Sequence, residues 1–339
     1  SITKIESGYL IPQKEVLNRI ALATGFPSSF FKQESFSNFP LGSLLFRKQA
    51  SVNLREKYEA SQYGKTIFEI SHKLNKLVTQ LPINLPSLTD GPITAANVTR
   101  SAMGLSPDTP IKKLIYTIEK NGVLVLAIPK TLEKRDAFSL WVEDDISRPV
   151  IAISRGKPGD RLRFSIAHEI GHLVMHKNFI RGNIKQVEKD ADLFAGEFLL
   201  PENAMRNELT SPITLLSLAK LKLKWGVSIQ ALIVRAKNLG VITERQYKYL
   251  FKKLSIMGWR KKEPENLDIP CEKPRALRKM AEVIYGTPID YKKFSSDMNL
   301  SPIFLKQIME EQASKKDLVP QESLNTEKTL HYLFPDQKM

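Results

Sequence analysis

The chain has 339 residues, of which 42% are hydrophobic, a single cysteine and a formal charge of +15 at pH 7. That length and apolar content suit two or three cored domains rather than disorder throughout, and the lone Cys271 excludes an internal disulfide framework or a cysteine-based metal cluster and fits a reducing cytosol. No apolar run approaches the ~18 residues needed to span a bilayer, and residues 1–13 do not read as a signal peptide, so a cytoplasmic protein without membrane association is expected.

In chain order, residues 1–8 and a helical stretch at 15–31, with Val16, Leu17, Ile20, Ala21 and Ala23 on one face, resemble the second half of a Cro/C1-type (XRE) helix-turn-helix. Only the end of a recognition helix and its trailing helices have counterparts, so 1–33 is expected to be a partial remnant without assumed DNA binding of its own, its plain reading being a helical cap packed on the next domain. Residues 34–64 carry Phe36, Phe39 and Phe46 without clear periodicity and read as a linker with some helix. Over 65–81, Ile67, Ile70, Leu74, Leu77, Val78 and Leu81 mark an amphipathic helix ended by Pro82. After a loop over 82–92, Thr94 caps a short helix closed by Gly104, and a further helix over 110–121 stops at Gly122.

The period then changes. Residues 123–128 form a buried strand, 137–142 an alternating one and 150–153 a third, the last two joined by a polar turn at 143–148. A small sheet immediately before a helix is a natural place for an extended peptide to add as another strand, and Ser139 and Trp141 would sit near that edge.

The next helix carries the chemistry. Pro158 and Gly159 break the chain, Asp160 is the expected N-cap, and Phe164, Ala167, Ile170, Gly171 and Val174 supply an apolar stripe. Gly171 costs about 1 kcal/mol against alanine inside a helix, which implies a close neighbour. On this helix lies His168-Glu169-Ile170-Gly171-His172. Histidines at i and i+4 stack on one face and can converge on one ion, while Glu169 projects about 100° round the helix, free to act as a base. His176 extends the ladder, but it lies about 12 Å along the axis from His168, too far for both to bind one ion at about 2 Å. It reads as a surface residue near the helix C-terminus.

Catalytic zinc keeps three protein ligands and an open position. Glu188 is the expected third ligand. It opens a helical stretch whose Ala191, Phe194, Ala195 and Phe198 face inward, and the segment over 177–186 is long enough to turn the chain back. Asp192, one turn beyond Glu188, could accept the free ring N–H of a ligand histidine. Two imidazoles and a carboxylate also suit Mn2+ or Fe2+, so zinc, one ion per chain, follows from ligand type alone.

The run from Arg161 through His168, Glu169 and His172 to His176, with Glu188 to Ala195 and Phe198 to Pro201, resembles the ImmA/IrrE metallopeptidases. Ser139 to Trp141, Arg148 to Ile151 and Leu223 to Ser228 carry the same resemblance, which spans about 65–259. It implies a gluzincin-like endopeptidase in which His168, His172 and Glu188 hold zinc, Glu169 is the general base and the substrate is a helix-turn-helix repressor.

Beyond Pro201 the chain is helical, over 214–224, 228–238 and 243–257, and Thr243 with Gln246 makes a capping box. Thirteen Lys or Arg stand against two acids between Met205 and Lys262. Such a block reads either as a surface for an acidic partner or for nucleic acid, the latter through Lys220, Lys222, Lys224, Arg235 and Lys237, or as basic helix faces that keep the protein soluble. A polar, proline-bearing linker and a last helical region over 274–316 precede a loose tail.

The resulting expectation is an α+β chain with a zincin-like core of small sheet plus HExxH helix and additional helical segments. The expected divisions are a helix-turn-helix remnant at 1–33, a linker at 34–64, a metallopeptidase domain at 65–204, a basic three-helix module at 205–262 and a helical C-terminal region at 263–339. The expected function is zinc-dependent cleavage of a regulatory protein, a repressor in a stress or mobile-element response. A DNA-binding regulator whose zinc site is structural or sensory is the alternative.

Overall fold

The computed structural model describes residues 2–33, 54–128, 137–141, 148–154, 156–177 and 183–312. The first part of the expected linker (34–53), most of the turn at 143–148, residues 178–182 of the loop before Glu188 and the expected tail lie outside these residues.

Three strands form the centre: β1 (Leu124–Ile128), β2 (Ala137–Trp141) and β3 (Pro149–Ser154), in the order β1-β3-β2. β1 runs parallel to β3, with Leu124 opposite Val150, and β2 runs antiparallel to β3, with Ala137 opposite Ile153. Every residue of β1 and β3 is buried. Strands with no polar face need cover on both sides, and alternate residues supply it here. Val125, Ala127, Ile151 and Ile153 join one core, whereas Leu124, Leu126, Ile128, Val150 and Ala152 join another.

The first core is built with α4 (Pro92–Ala102), α5 (Leu114–Lys120), α6 (Gly159–Met175) and α7 (Ile184–Leu199). It continues without a break through α8 (Glu202–Glu208), α9 (Leu215–Trp225), α10 (Ile229–Asn238) and α11 (Glu244–Ile256). The second core is closed by α3 (Leu54–Leu77) with α12 (Ala276–Tyr285), α13 (Tyr291–Met298) and α14 (Pro302–Glu311). The architecture is α+β, a small sheet between two helical layers. No described helix is long and apolar enough to cross a membrane.

The N-terminal helices α1 (Ile2–Glu6) and α2 (Lys14–Thr24) lead to Phe26 and Phe30, which join the second core, the Phe26 ring lying 5.3 Å from that of Phe304. Ser29 adds a hydrogen bond to Asn299 at 3.1 Å.

Local signals account for several helix starts. Thr214 with Ser217 and Thr243 with Gln246 form capping boxes, and Ser228 caps Ala231. Two expectations shift. α3 begins at Leu54 within the expected linker, and Leu77 and Leu81 are exposed, so its inward stripe is Ile67, Ile70 and Leu74. α4 starts on Pro92, because proline has no N–H to lose in the first turn, rather than at Thr94.

The C-terminal layer is wired to the first core by carboxylates. Glu272 accepts the Ile115 N–H at 2.8 Å and pairs with Arg163 at 2.5 Å. Glu119 accepts the N–H groups of Arg275 and Ala276, each at 3.0 Å, at the start of α12. Burial pushes the Glu119 carboxyl up to about 8, against the pull of those N–H donors and of Arg275.

Two predictions follow from packing and charge. A Cβ on Gly171 would stand 3.1 Å from the Phe194 ring, so Gly171→Ala is expected to destabilise the chain by about 1–3 kcal/mol, read as a lowered thermal midpoint, despite the better helix propensity of alanine. Glu119 favours the folded chain when protonated, so its contribution is complete below its ordinary 4.5 and is lost as pH rises through about 8. Between about pH 5 and pH 8.5 the thermal midpoint of the wild type should therefore fall further than that of Glu119→Gln, whose amide oxygen can still accept both N–H groups.

Candidate metal centre

The chain turns back after α6 so that α7 runs antiparallel beside it. The close approach is made at Gly171, against Phe194, with Ile170, Val174, Ala195 and Phe198 buried around the crossing. Phe194 and Phe198 stack at 5.7 Å with rings 14° from parallel. This contact sets the outer faces of the two helices opposite each other, and on them stand His168, His172, Glu188 and Asp192.

His168, His172 and Glu188 each place a potential ligand atom within 4.8 Å of the others. The two Nε2 atoms are 3.0 Å apart, His168 Nε2 lies 3.5 Å from Glu188 Oε2, and His172 Nε2 lies 3.9 Å from Glu188 Oε1. Ligands about 2.0–2.2 Å from a tetrahedral ion sit roughly 3.3–3.6 Å from one another. The observed separations bracket that range, so the donor set fits a small divalent cation. Glu188 is half exposed, and the imidazoles are mostly buried.

The far nitrogens of both rings are also engaged. Asp192 Oδ1 is 2.8 Å from His168 Nδ1. A carboxylate only accepts, so Nδ1 carries the hydrogen and the Nε2 lone pair of the neutral ring is directed at the cluster. Burial pulls the His168 imidazole toward its neutral form, but the Asp192 hydrogen bond and the charges of Glu169, Asp192 and Glu188 outweigh it, and its pKa is raised above the ordinary histidine value. His172 Nδ1 lies 3.0 Å from His176 Nδ1. His176 is therefore half-buried at the end of α6 as the partner of His172, not a surface residue easing a helix terminus. Its i+4 spacing from His172 was the available signal. Burial lowers its pKa, with Asp190 and Glu188 acting in the opposite direction.

Glu169 projects to a different side of α6, toward β2. Ser139 Oγ donates to Glu169 Oε2 at 2.5 Å and lies 3.3 Å from the Glu169 carbonyl oxygen. Among the described residues β2 is a sheet edge, so the Glu169 carboxylate and that edge are neighbours.

Other expected roles are corrected. Asp160 does not cap α6. The helix starts at Gly159 after Pro158, and the Asp160 carboxylate is buried, closed onto Lys222. Lys222 is 1% exposed and also pairs with Glu263 at 3.0 Å, so it cannot contact nucleic acid. Arg235, 4% exposed, is closed onto Glu197 and donates to the Leu200 carbonyl at 2.9 Å. These two cations neutralise buried acids that lie 62 and 38 positions away, a pairing that block composition cannot show. Lys224 pairs with Glu208 and Lys237 with Glu244, while Lys220 is exposed.

Residues 118–237, which include β1 to β3, the metal cluster and the helices up to α10, match the family model Peptidase_M78, IrrE N-terminal-like domain. No curated protein gives a match to the chain. The sheet, the HExxH helix and the converging carboxylate all lie inside the matched residues, so this segment is similar to the ImmA/IrrE peptidases, which supports a zincin-like core for it.

Proposed function

We propose that the chain is a cytoplasmic zinc endopeptidase that cuts a regulatory protein, a helix-turn-helix repressor in a stress or mobile-element response. The observation that carries this reading is the meeting of two imidazoles and one carboxylate beside a second carboxylate, Glu169, that stays outside the cluster. His168, His172 and Glu188 would hold one divalent ion, for which nitrogen and oxygen donors favour zinc while also accepting Mn2+ or Fe2+. Such an ion supplies a Lewis-acid centre that lowers the pKa of a water and polarises a peptide carbonyl.

The remaining steps belong to the chain's own side chains. Asp192 keeps the proton on His168 Nδ1, which leaves Nε2 free to ligate and fixes the ring's orientation. With its own proton on Nε2, His176 would accept at Nδ1 from His172 Nδ1 and so do the same for His172. Glu169 takes a proton from the attacking water as its oxygen bonds to the carbonyl carbon, then delivers that proton to the amine nitrogen as the C–N bond breaks. The Ser139 hydroxyl, donating to Glu169 Oε2, holds that carboxylate toward the β2 edge. A substrate strand laid along that edge would bring its carbonyls to the base.

Glu169→Gln is expected to abolish cleavage of a partner repressor, read as product masses, while metal stoichiometry stays near one per chain; undiminished cleavage would eliminate the assignment. Asp192→Asn, which retains a hydrogen-bonding group but removes the charge, is expected to lower metal affinity by about 10–100-fold, measured by competition with a chromogenic chelator. The same variant should also bring the His168 pKa down, because it removes the Asp192 charge that helps raise it.

A further inference from the structure

The side of α6 that carries the imidazoles continues past them. Arg161, Phe164 and Ser165 lie on the stripe that runs on to His168 and His172, since residues three and four apart share a helix face. Facing them across the α6–α7 crossing are Lys189, Asp192, Leu193 and Gly196. Residues of α10, α11 and the segment after α11 complete a groove of about 1030 Å³. It adjoins the His168, His172 and Glu188 cluster through Asp192, which lines it and holds His168 at 2.8 Å. From His168 back to Arg161 it follows α6 for about 10 Å.

The groove has two chemical characters. Its floor is apolar, made by Phe164, Leu193, Ala231 and Val234, with Val234 40% exposed. Its walls are cationic. Lys157, Arg161, Lys189, Arg260 and Lys261 line it. Two further cations are closed onto acids, Arg235 onto Glu197 and Lys262 onto Glu265. Of its carboxylates, Asp160 and Glu263 are closed onto Lys222 and Asp192 onto His168, which leaves Asp268 against Lys189, Arg260 and Lys261. Among the described residues neither Lys189 nor Lys261 has a carboxylate partner.

We propose that this groove holds an acidic segment of the protein substrate, with apolar side chains on its floor and Asp or Glu against its walls. The proposal rests on the peptidase reading above and specifies the substrate it prefers. Wall charges suit an acidic partner by complementarity, and the apolar floor gives side chains, rather than a phosphate backbone, something to displace water from. Nucleic acid fits less well. Single strands bind by stacking bases on aromatic rings, but the Phe251 ring is covered by the Arg260 guanidinium at 5.5 Å, and Trp259 is buried.

The test uses the full chain carrying Glu169→Gln, so that bound peptide is not consumed, and reads fluorescence anisotropy. The probes are labelled peptides of about twelve residues that alternate Leu with Glu or Leu with Lys, and a single-stranded oligonucleotide of similar length. The Leu/Glu peptide should bind saturably and the Leu/Lys peptide at least ~10-fold more weakly. Arg260→Glu combined with Lys261→Glu should weaken the Leu/Glu peptide by ~10-fold, as should Val234→Arg, with circular dichroism unchanged. Equal affinity for the two peptides, binding indifferent to both sets of variants, or oligonucleotide binding that follows the wall charges while peptide binding does not, would each overturn the proposal. Binding is read on a chain that does not turn over. Absence of hydrolysis by the wild type would therefore sink the peptidase reading and leave the groove standing, whereas indifferent peptides would sink the groove and leave Glu169-dependent cleavage intact.

Discussion

Glycine at position 171 lets the Phe194 ring sit against the α6 backbone, and the position of every polar group in the centre follows from that contact. With any larger residue there, α7 would have to move outward by tenths of an ångström or more, and the stacked Phe194 and Phe198 rings would lose part of their close packing. Glu188 and Asp192 are carried on the same rigid helix as those rings. Their distances to the imidazoles, 3.5 Å and 2.8 Å, are therefore set by a hydrophobic crossing rather than by the polar groups themselves. Such an arrangement holds anionic and imidazole groups together without depending on their mutual attraction, which is weak at half-exposed positions.

The second constraint is the sheet, whose β1 and β3 have no face they can show to water. One side is met by the layer that contains the centre and the other by α3 with the C-terminal helices, so the last third of the chain is part of what keeps the β2 edge and α6 in register. The two layers are joined through charge. Arg163, inside the motif helix, donates to Glu272, to the Gly226 carbonyl and to the Ile111 carbonyl, which ties α6 to three separate parts of the chain. Losing one partner of a buried pair of this kind costs several kcal/mol, about 3–5, because the remaining charge is left uncompensated. Arg163, Lys222 and Arg235 thus act as interior fasteners, although each lies in a sequence context that reads as surface.

This divides what was legible in the chain from what was not. The HExxH spacing, the strands, the Thr243–Gln246 capping box and the need for a close neighbour at Gly171 are local, each decided within a few residues, and the structure places them as read. Glu188 was reachable because α7 follows α6 almost directly, and the antiparallel return leaves few acids that can meet two imidazoles. Buried charge was not legible. Lys222 and Arg235 sit on helices whose neighbours are leucine, isoleucine and alanine, and only the fold reveals that Asp160, Glu263 and Glu197 meet them. Asp160 shows the same effect from the other side, since a local capping rule assigned it to a helix terminus while a distant lysine claimed its carboxylate. His176 was discounted on axial distance from His168, a sound argument against ligation that says nothing about contact with His172.

α6 thereby presents three faces with three tasks, and its 3.6-residue period is what keeps them apart. Leu162, Ile166, Ile170 and Leu173 face the core and hold the helix in place. Glu169 faces β2 and Ser139, so its carboxylate stands at the strand edge, where backbone could be presented to it. His168 and His172 face outward with Phe164 and Arg161, so the groove begins where the imidazoles end. A substrate reaching this centre would therefore meet main-chain partners on the Glu169 side and side-chain partners on the Arg161 side. Separating the two in this way would leave the strand edge indifferent to side chains at a bond held there, with selection resting on residues some distance from it, in a groove whose cations lie on α6, α7 and the segment after α11.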